Sequence, residues 1–227
     1  LRLRNGAFRD MTALTSITIP KSLYGPNLFE NINLFNGCTA LQTVEFEEQT
    51  SLTFIGEAMF SGCTVLTSIT IPPNVTTIGK AAFSGCTVLT SITIPASVNN
   101  IGETAFQSTG LTSITIPASV ATIGNYAFNL AGSLIDVSFA TGSTLTTIGQ
   151  GVFKNDASLN SINIPANVIT ISGEAFYGCT ALTSIDIPAN VTSIRDYAFF
   201  QSGLTSITIP PLVESIGFEA FRYTKFE

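Results

Sequence analysis

One pattern of apolar and polar positions recurs nine times along the 227-residue chain. In the copy at residues 66–88, apolar residues alternate with hydroxyl residues around Ile69 and Ile71. This period of two, with β-branched residues, predicts a strand that buries one face. The copies begin at Leu14, Leu41, Leu66, Leu89, Leu111, Leu134, Leu159, Leu182 and Leu204. Their spacing of 22 to 27 residues predicts a solenoid of stacked coils.

The rest of each copy predicts a corner, a second short strand and a further turn. Pro72 ends the first strand because proline has no N–H to donate. Gly79 is expected at the next corner with a positive φ, which glycine takes without steric cost. Residues 80–83 favour a helix but are only about one turn long, so we expect a short α or 3₁₀ piece.

Phenylalanine recurs five residues after an isoleucine in eight copies. Aromatic residues that repeat in register beside alanine or other small residues pack against each other when coils stack. We therefore interpret this column as core and not as a binding stripe. Its members are Phe60, Phe83, Phe106, Phe128, Phe153, Phe176, Phe199 and Phe221.

The repeated sequence, LTSITIPPNVTTIGKAAFSGCTV at residues 66–88, resembles the BspA-like leucine-rich repeats, also called the type 5 or Treponema-type class. The resemblance covers residues 14–226. It implies a mainly β, right-handed leucine-rich-repeat solenoid of about nine coils, each with a strand, a second short strand and a one-turn helix or 3₁₀ piece. The copies at Leu41 and Leu134 lack the proline and gain two residues, so we expect a bulge at one corner of each.

The whole chain, residues 1–227, is predicted to be a single solenoid domain. Residues 1–13 form a partial coil and residues 14–227 the nine repeats. No polar capping repeat follows Phe221, and solenoids need such caps to close the core, so we expect a piece of a longer protein. The first copy inserts residues 24–29, whose aromatic side chains are expected to leave the solenoid surface.

Composition argues against several classes of function. The chain has a net charge of −6, nine scattered basic residues and no histidine. Such an acidic chain is not typical of proteins that bind nucleic acid or anionic membranes. Without histidine it lacks Ser-His and Cys-His nucleophile pairs, and it has no glycine-rich phosphate loop. We predict no enzymatic activity, no catalytic residue, no cofactor and no membrane insertion of this segment.

The four cysteines, Cys38, Cys63, Cys86 and Cys179, occupy one repeat position, always as Gly-Cys-Thr. Metal binding needs convergent ligands with Cys-x-x-Cys or Cys/His spacing, which the sequence lacks, so we predict no metal site. We expect buried free thiols that act as small hydrophobes. A disulfide between neighbouring coils is the alternative, although parallel side-chain directions disfavour it.

The outward face of the first strand is a candidate ligand face, rich in hydroxyl groups. Weak contacts repeated along such a face sum through multivalency. The alternative is that serine and threonine are simply the residues that a solvated β face tolerates. The candidate residues are Ser68, Thr70, Ser91, Thr93, Ser113, Thr115, Asp136, Ser138, Ser161, Asn163, Ser184 and Asp186.

The last three copies add aromatic residues at positions that are small or polar elsewhere. Exposed clusters of aromatic residues mark interaction surfaces. We name this set the aromatic edge. The alternative is that it packs against a further part of the parent protein. Its residues are Tyr177, Tyr197, Phe200, Phe218 and Tyr223.

Two Asn-x-Thr sequons begin at Asn74 and Asn190, at the same repeat position after the proline corner. They would accept glycans in a secreted eukaryotic chain. The alternative is that both are corner residues whose side chains bond the backbone.

The family resemblance implies a function as well as a fold. Its members are typically surface-exposed or secreted proteins of host-associated bacteria and parasitic protists. The resemblance therefore implies adhesion to host extracellular glycoproteins, such as fibronectin or fibrinogen, or to other cells. A second hypothesis is a passive spacer that displays another domain of a longer surface protein.

Overall fold

The computed structural model describes residues 4–21, 32–48 and 50–226, and within them the chain forms thirteen short strands and no α-helix. All paired strands are parallel. The strands are β1 (Ser16–Ile19), β2 (Thr43–Phe46), β3 (Phe54–Ile55), β4 (Thr77–Ile78), β5 (Asn100–Ile101), β6 (Ser113–Ile116), β7 (Thr122–Ile123), β8 (Asp136–Phe139), β9 (Thr147–Ile148), β10 (Ser161–Ile162), β11 (Thr170–Ile171), β12 (Ser193–Ile194) and β13 (Ser215–Ile216). The predicted mainly β solenoid is confirmed. The inserted residues 24–29 lie outside the described residues.

The first-strand face is formed in pieces. Two sheets with the orders β1-β2 and β6-β8-β10 account for most of it. In the copies at Leu66 and Leu89 the strand is reduced to a single bridge between Thr70 and Thr93. The predicted alternation still holds there, because Ile69 and Ile71 are buried and their neighbours Ser68 and Thr70 are exposed.

The second-strand face consists of two sheets, with the orders β3-β4-β5-β7 and β9-β11-β12-β13. Within the residues that the structure describes, eight coils therefore carry a second strand, close to the nine coils predicted. The two sheets are separated where the copy at Leu134 gains two residues. Those residues lengthen the corner after β8, in which Ser143 N–H donates to Ala140 O and Gly142 has a φ of 85°.

The predicted one-turn helix is wrong, and a run of turns replaces it. In residues 80–85, Ala81 and Gly85 have positive φ values of 52° and 76°, which a right-handed helix cannot contain. Gly79 is not left-handed either. It is needed because a Cβ there would lie 2.8 Å from Ile55 O in the preceding coil. Close approach of coils, not turn geometry, therefore requires this glycine.

The turn runs are joined by a continuous ladder of backbone hydrogen bonds. In each run the phenylalanine N–H and the N–H groups two residues before and after it donate to the next coil. Phe83 N–H, for example, donates to Ala105 O at 2.8 Å. Three such bonds occur at each of nine junctions, from Gly6–Ile32 to Gln201–Arg222. This ladder continues without interruption across the break between the two second-strand sheets.

The phenylalanine column is confirmed as core. Its rings stack in series with centroids 5.2–5.6 Å apart, and Phe60 through Phe199 are fully buried. The column extends further towards the N-terminus than predicted, because Phe8 and Phe35 join it. Offset stacking adds to the apolar burial of each ring. The column and the turn ladder together hold successive coils in register.

Candidate interaction surfaces

The residue that follows a core phenylalanine is at least partly exposed in every described coil except at Asn129, which is buried. In the last coils this position holds Lys154, Tyr177, Phe200 and Arg222 on successive turns. The rings of Tyr177 and Phe200 stack with centroids 4.9 Å apart, and Lys154 Nζ lies 4.8 Å from the Tyr177 ring centroid. The same position is arginine in the first coil, at Arg9, and serine, asparagine or glutamine in the other coils before Lys154. The aromatic stack is therefore a property of this end of the described chain.

The other members of the aromatic edge close around this stack. Tyr197 packs edge-on against both Phe200 and Phe218, at 5.6 and 5.5 Å, and Tyr223 packs edge-on against Phe200 at 5.2 Å. The structure thus brings together all five residues predicted from the sequence. Phe218 and Tyr223 keep 62% and 59% of their surface exposed, so the cluster is open to a partner.

The cations beside the aromatic edge are paired with carboxylates. Lys154 Nζ lies 2.9 Å from Glu174 Oε1, and Arg222 pairs with Glu219 on the same turn run. The Arg222 guanidinium also lies 4.5 Å from the Tyr223 ring centroid. These pairs hold the cations against the rings, which favours a cation–π contribution.

Tyr126 extends this surface towards the middle of the array, and sequence reasoning missed it. Its hydroxyl donates to Glu174 Oε2 at 3.1 Å, two coils away, and accepts from Gln150 Nε2 at 3.0 Å. Its ring fills the space above Gly151, where a Cβ would lie 2.2 Å from Cε1. Burial and the Glu174 carboxylate raise the pKa of Tyr126, which keeps the phenol protonated. The glycine at position 151 is the one sequence signal for this contact.

The candidate ligand face lies where the sequence places it. Its residues are exposed, except that Ser138 is half-buried. Several of its side chains bond to each other: Thr115 and Ser138 hydroxyls are 3.0 Å apart, and Ser161 Oγ donates to Asp136 Oδ1 at 2.8 Å. These bonds use part of the hydrogen-bonding capacity of the face. A ligand there would make its contacts with the remaining hydroxyl groups.

The cysteines are free thiols in the core, as expected, and the disulfide alternative is not realised. Each donates from Sγ to the phenylalanine carbonyl of the coil before it, as Cys63 does to Phe35 O at 3.3 Å. Burial raises the pKa of Cys63 to about 12, so the thiolate nucleophile is suppressed. The described residues contain no group of three or more side chains that could hold a metal ion.

The sequon asparagines form the corner contacts that the alternative interpretation predicts. Asn74 Nδ2 donates to Thr50 O at 3.2 Å, and Asn190 Nδ2 donates to Ala166 O at 2.9 Å. Asn167, which starts no sequon, makes the same contact with Ser143 O. The asparagine at this corner therefore has a structural role in three coils. Glycosylation of Asn74 and Asn190 stays a prediction.

The stacked parallel strands, the repeated core positions and the period together define a leucine-rich-repeat solenoid. The family described as BspA type leucine rich repeat region matches residues 2–135 and 99–227, in six copies. The chain belongs to this family, and the sequence-based recognition is confirmed. Among the described residues there is no helix of the length and apolar character needed to cross a membrane.

Solved structures give the same fold. A leucine-rich repeat protein from Bacteroides ovatus is 29% identical, with a TM-score of 0.82 over 94% of this chain and 56% of that chain. One from Eubacterium ventriosum is 22% identical, with a TM-score of 0.72 over 95% of this chain and 60% of that chain. The pneumococcal vaccine antigen PcpA is 22% identical, with a TM-score of 0.66 over 100% and 66%. The chain thus spans little more than half of the first two proteins. A comparison with curated proteins gives no significant match.

Proposed function

We propose that this chain is a non-enzymatic interaction module of a cell-surface or secreted protein. It binds host extracellular glycoproteins, for which fibronectin and fibrinogen are the test cases, or the surface of other cells. Leucine-rich-repeat solenoids present extended surfaces that suit such contacts. The observation that carries the proposal is the aromatic edge, a cluster of five packed and partly exposed rings beside two cations.

The composition of the aromatic edge is that of an interface. Tyrosine, phenylalanine and arginine are enriched at protein interfaces, and tyrosine and arginine are among the residues whose truncation weakens binding most strongly. The solenoid does not need them, because every earlier coil has a polar residue at the position of Tyr177 and Phe200. Mutual packing also restricts Tyr177, Phe200 and Tyr197 before a partner arrives, which lowers the entropy lost on binding.

The candidate ligand face has a secondary role in this proposal. It contains no aromatic anchor, and its hydroxyl groups partly bond each other. Contacts there are weak singly and sum only when many coils engage one partner.

The second candidate function is a passive spacer. The observation that favours it is the uninterrupted turn ladder, which with the phenylalanine column makes a stiff rod along the described coils. A spacer, however, has no use for exposed rings such as Phe218 and Tyr223.

A binding titration against immobilised fibronectin and fibrinogen at physiological salt tests the proposal, with another leucine-rich solenoid as control. The decisive variant replaces Tyr177, Phe200 and Tyr223 by alanine. The matched control replaces Ser61, Ser84 and Gln107, which follow the core phenylalanine in earlier coils. We expect the first variant to lose at least tenfold in affinity and the second to bind normally, with both folded by circular dichroism. Equal affinity of the two variants would contradict a role of the aromatic edge in binding. If the unmodified chain binds neither fibronectin nor fibrinogen, the spacer function is favoured.

A further inference from the structure

A polar groove of about 820 Å³ crosses the second-strand face over the sheet β9-β11-β12-β13. It shares no residue with the aromatic edge or the candidate ligand face, although Asp196 contacts Phe218 of the aromatic edge. Its floor carries one hydroxyl group per coil, because the first residue of each of these strands points outward and the parallel register aligns them. These residues are Thr147, Thr170, Ser193 and Ser215.

The walls of the groove carry planar polar groups. Asn125 and Gln150 supply amides, Glu174 and Asp196 supply carboxylates, and Arg195 supplies a guanidinium. Such groups carry two or more hydrogen-bonding atoms side by side. Glu174, Gln150 and Asp196 use some of theirs within the chain, and their remaining hydrogen-bonding capacity is left for a ligand. Donors and acceptors thus face the same channel.

Tyr126 forms an aromatic rim beside this groove. Gln150 and Glu174, which line the groove, fix its hydroxyl from two coils, so the ring extends along the solenoid axis. Gly151 lies beneath the ring. Tyr126 is only half-buried, so part of the residue is accessible to a ligand.

The charges in the groove are largely compensated. Glu174 is held by Lys154 at 2.9 Å, and Asp196 Oδ1 accepts from Phe218 N–H at 2.7 Å. Arg195 adds a charge of the opposite sign. The groove therefore has no field of one sign that would select a phosphate or a polycation, and its chemistry suits a neutral ligand rich in hydroxyl groups.

We propose that this groove binds a neutral, extended, β-linked oligosaccharide with one sugar residue per coil. Paired strands are spaced by ~4.8 Å, which is close to the length of one pyranose residue in an extended β-1,4-linked chain. The threonine and serine hydroxyls and the planar wall groups bond the sugar hydroxyls, and the Tyr126 ring packs on the apolar face of a terminal residue. This inference rests on the proposed interaction function and names the chemistry of one ligand.

Titration calorimetry of the full chain with β-1,4-linked glucose oligosaccharides, from disaccharide to hexasaccharide, tests the proposal. We expect saturable binding whose affinity rises with chain length up to the tetrasaccharide and then levels, because the floor spans four coils. No saturable binding overturns the inference. Tighter binding of a sulfated oligosaccharide of equal length also overturns it, since the groove would then select charge.

Two variants locate the site. Thr170→Leu fills the floor and Tyr126→Ala removes the rim, and each is expected to weaken hexasaccharide binding at least tenfold. Thr77→Leu is the matched control, because Thr77 is also the first, half-buried residue of a two-residue strand, in the other second-strand sheet. Equal weakening by the control overturns the assignment to this groove. A chain that binds fibronectin or fibrinogen but no oligosaccharide overturns this inference and leaves the proposed function standing.

Discussion

Asp156 Oδ1 accepts a hydrogen bond from the Ala131 N–H at 2.8 Å, across the junction between two coils. The second carboxyl oxygen is buried and has no partner among the described residues. Burial raises the pKa of Asp156 well above its ordinary value. The carboxyl group stands at the repeat position that holds cysteine in four other coils, so the core contains an acid where the fold accepts a small apolar side chain.

We expect Asp156→Cys to stabilise the chain at neutral pH. The raised pKa means that the folded state holds the carboxyl proton more strongly than the unfolded chain does. Stability with Asp156 is therefore highest below the ordinary pKa of 3.8 and falls as the pH rises towards the folded value. The variant should raise the free energy of unfolding by about 1–3 kcal/mol at pH 7, and by less at pH 4. Denaturant unfolding at both pH values measures this.

The control for that experiment is Asp186→Asn, which changes an exposed carboxylate. It should leave stability unchanged at both pH values. An equal gain for Asp156→Cys at pH 4 and pH 7 would mean that cavity filling, and not the acid, sets the difference.

Truncation of a ring in the phenylalanine column should strongly lower the stability of the chain. Phe106 is fully buried between Phe83 and Phe128. Phe106→Ala should lower the free energy of unfolding by about 3–5 kcal/mol, because it removes the ring and leaves a cavity. Phe218→Ala, at a residue 62% exposed, should lower it by less than about 1 kcal/mol. Urea unfolding of the two variants checks the difference, and similar losses would contradict the stacked core.

Two glycine substitutions compare a site where neighbouring coils approach closely with a site that has free space. At Gly102 a Cβ would lie 2.6 Å from the backbone of Gly79 and Lys80, so Gly102→Ala should destabilise the chain by about 1–3 kcal/mol. At Gly132 a Cβ would meet nothing within 4 Å, so Gly132→Ala should be neutral or stabilise by up to about 1 kcal/mol. Thermal melting of both variants measures the contrast. A neutral Gly102→Ala would show that the coils can move apart at that junction.

The thiols should be unreactive in the folded chain. All four cysteines are buried, and burial raises the pKa of each thiol. A chromogenic disulfide reagent at pH 8 should modify none of them without denaturant and all four in guanidinium chloride. Rapid labelling of the folded chain would contradict the continuous core.

The strand positions and the phenylalanine column could be predicted because both follow from apolar residues at fixed repeat positions. The helical piece could not be excluded, since Lys80, Ala81 and Ala82 all favour helix by intrinsic propensity. Stacking decides the outcome there: the ladder requires a left-handed residue on each side of the phenylalanine. Alanine, threonine and tyrosine occupy such sites at Ala81, Thr104 and Tyr126, so the sequence carries no glycine signal for them.

The aromatic edge could be predicted because its members fall at neighbouring repeat positions in consecutive coils, which stacking brings together. The contact of Tyr126 with Glu174 could not, because it skips a coil and depends on the missing side chain of Gly151. Alignment of repeats identifies neighbours one coil apart and says nothing of a side chain that reaches two coils.

The interruption between β7 and β9 has a mechanical consequence. The sheet β6-β8-β10 of the first-strand face continues through the same coils, as do the turn ladder and the ring column. The breaks in the two faces thus lie between different coils. No cross-section through these coils meets a break in both faces, in the turn ladder and in the ring column at once. Neither mechanical force nor heating should therefore separate the coils at this interruption. The coils on either side of it should unfold together as a single cooperative unit.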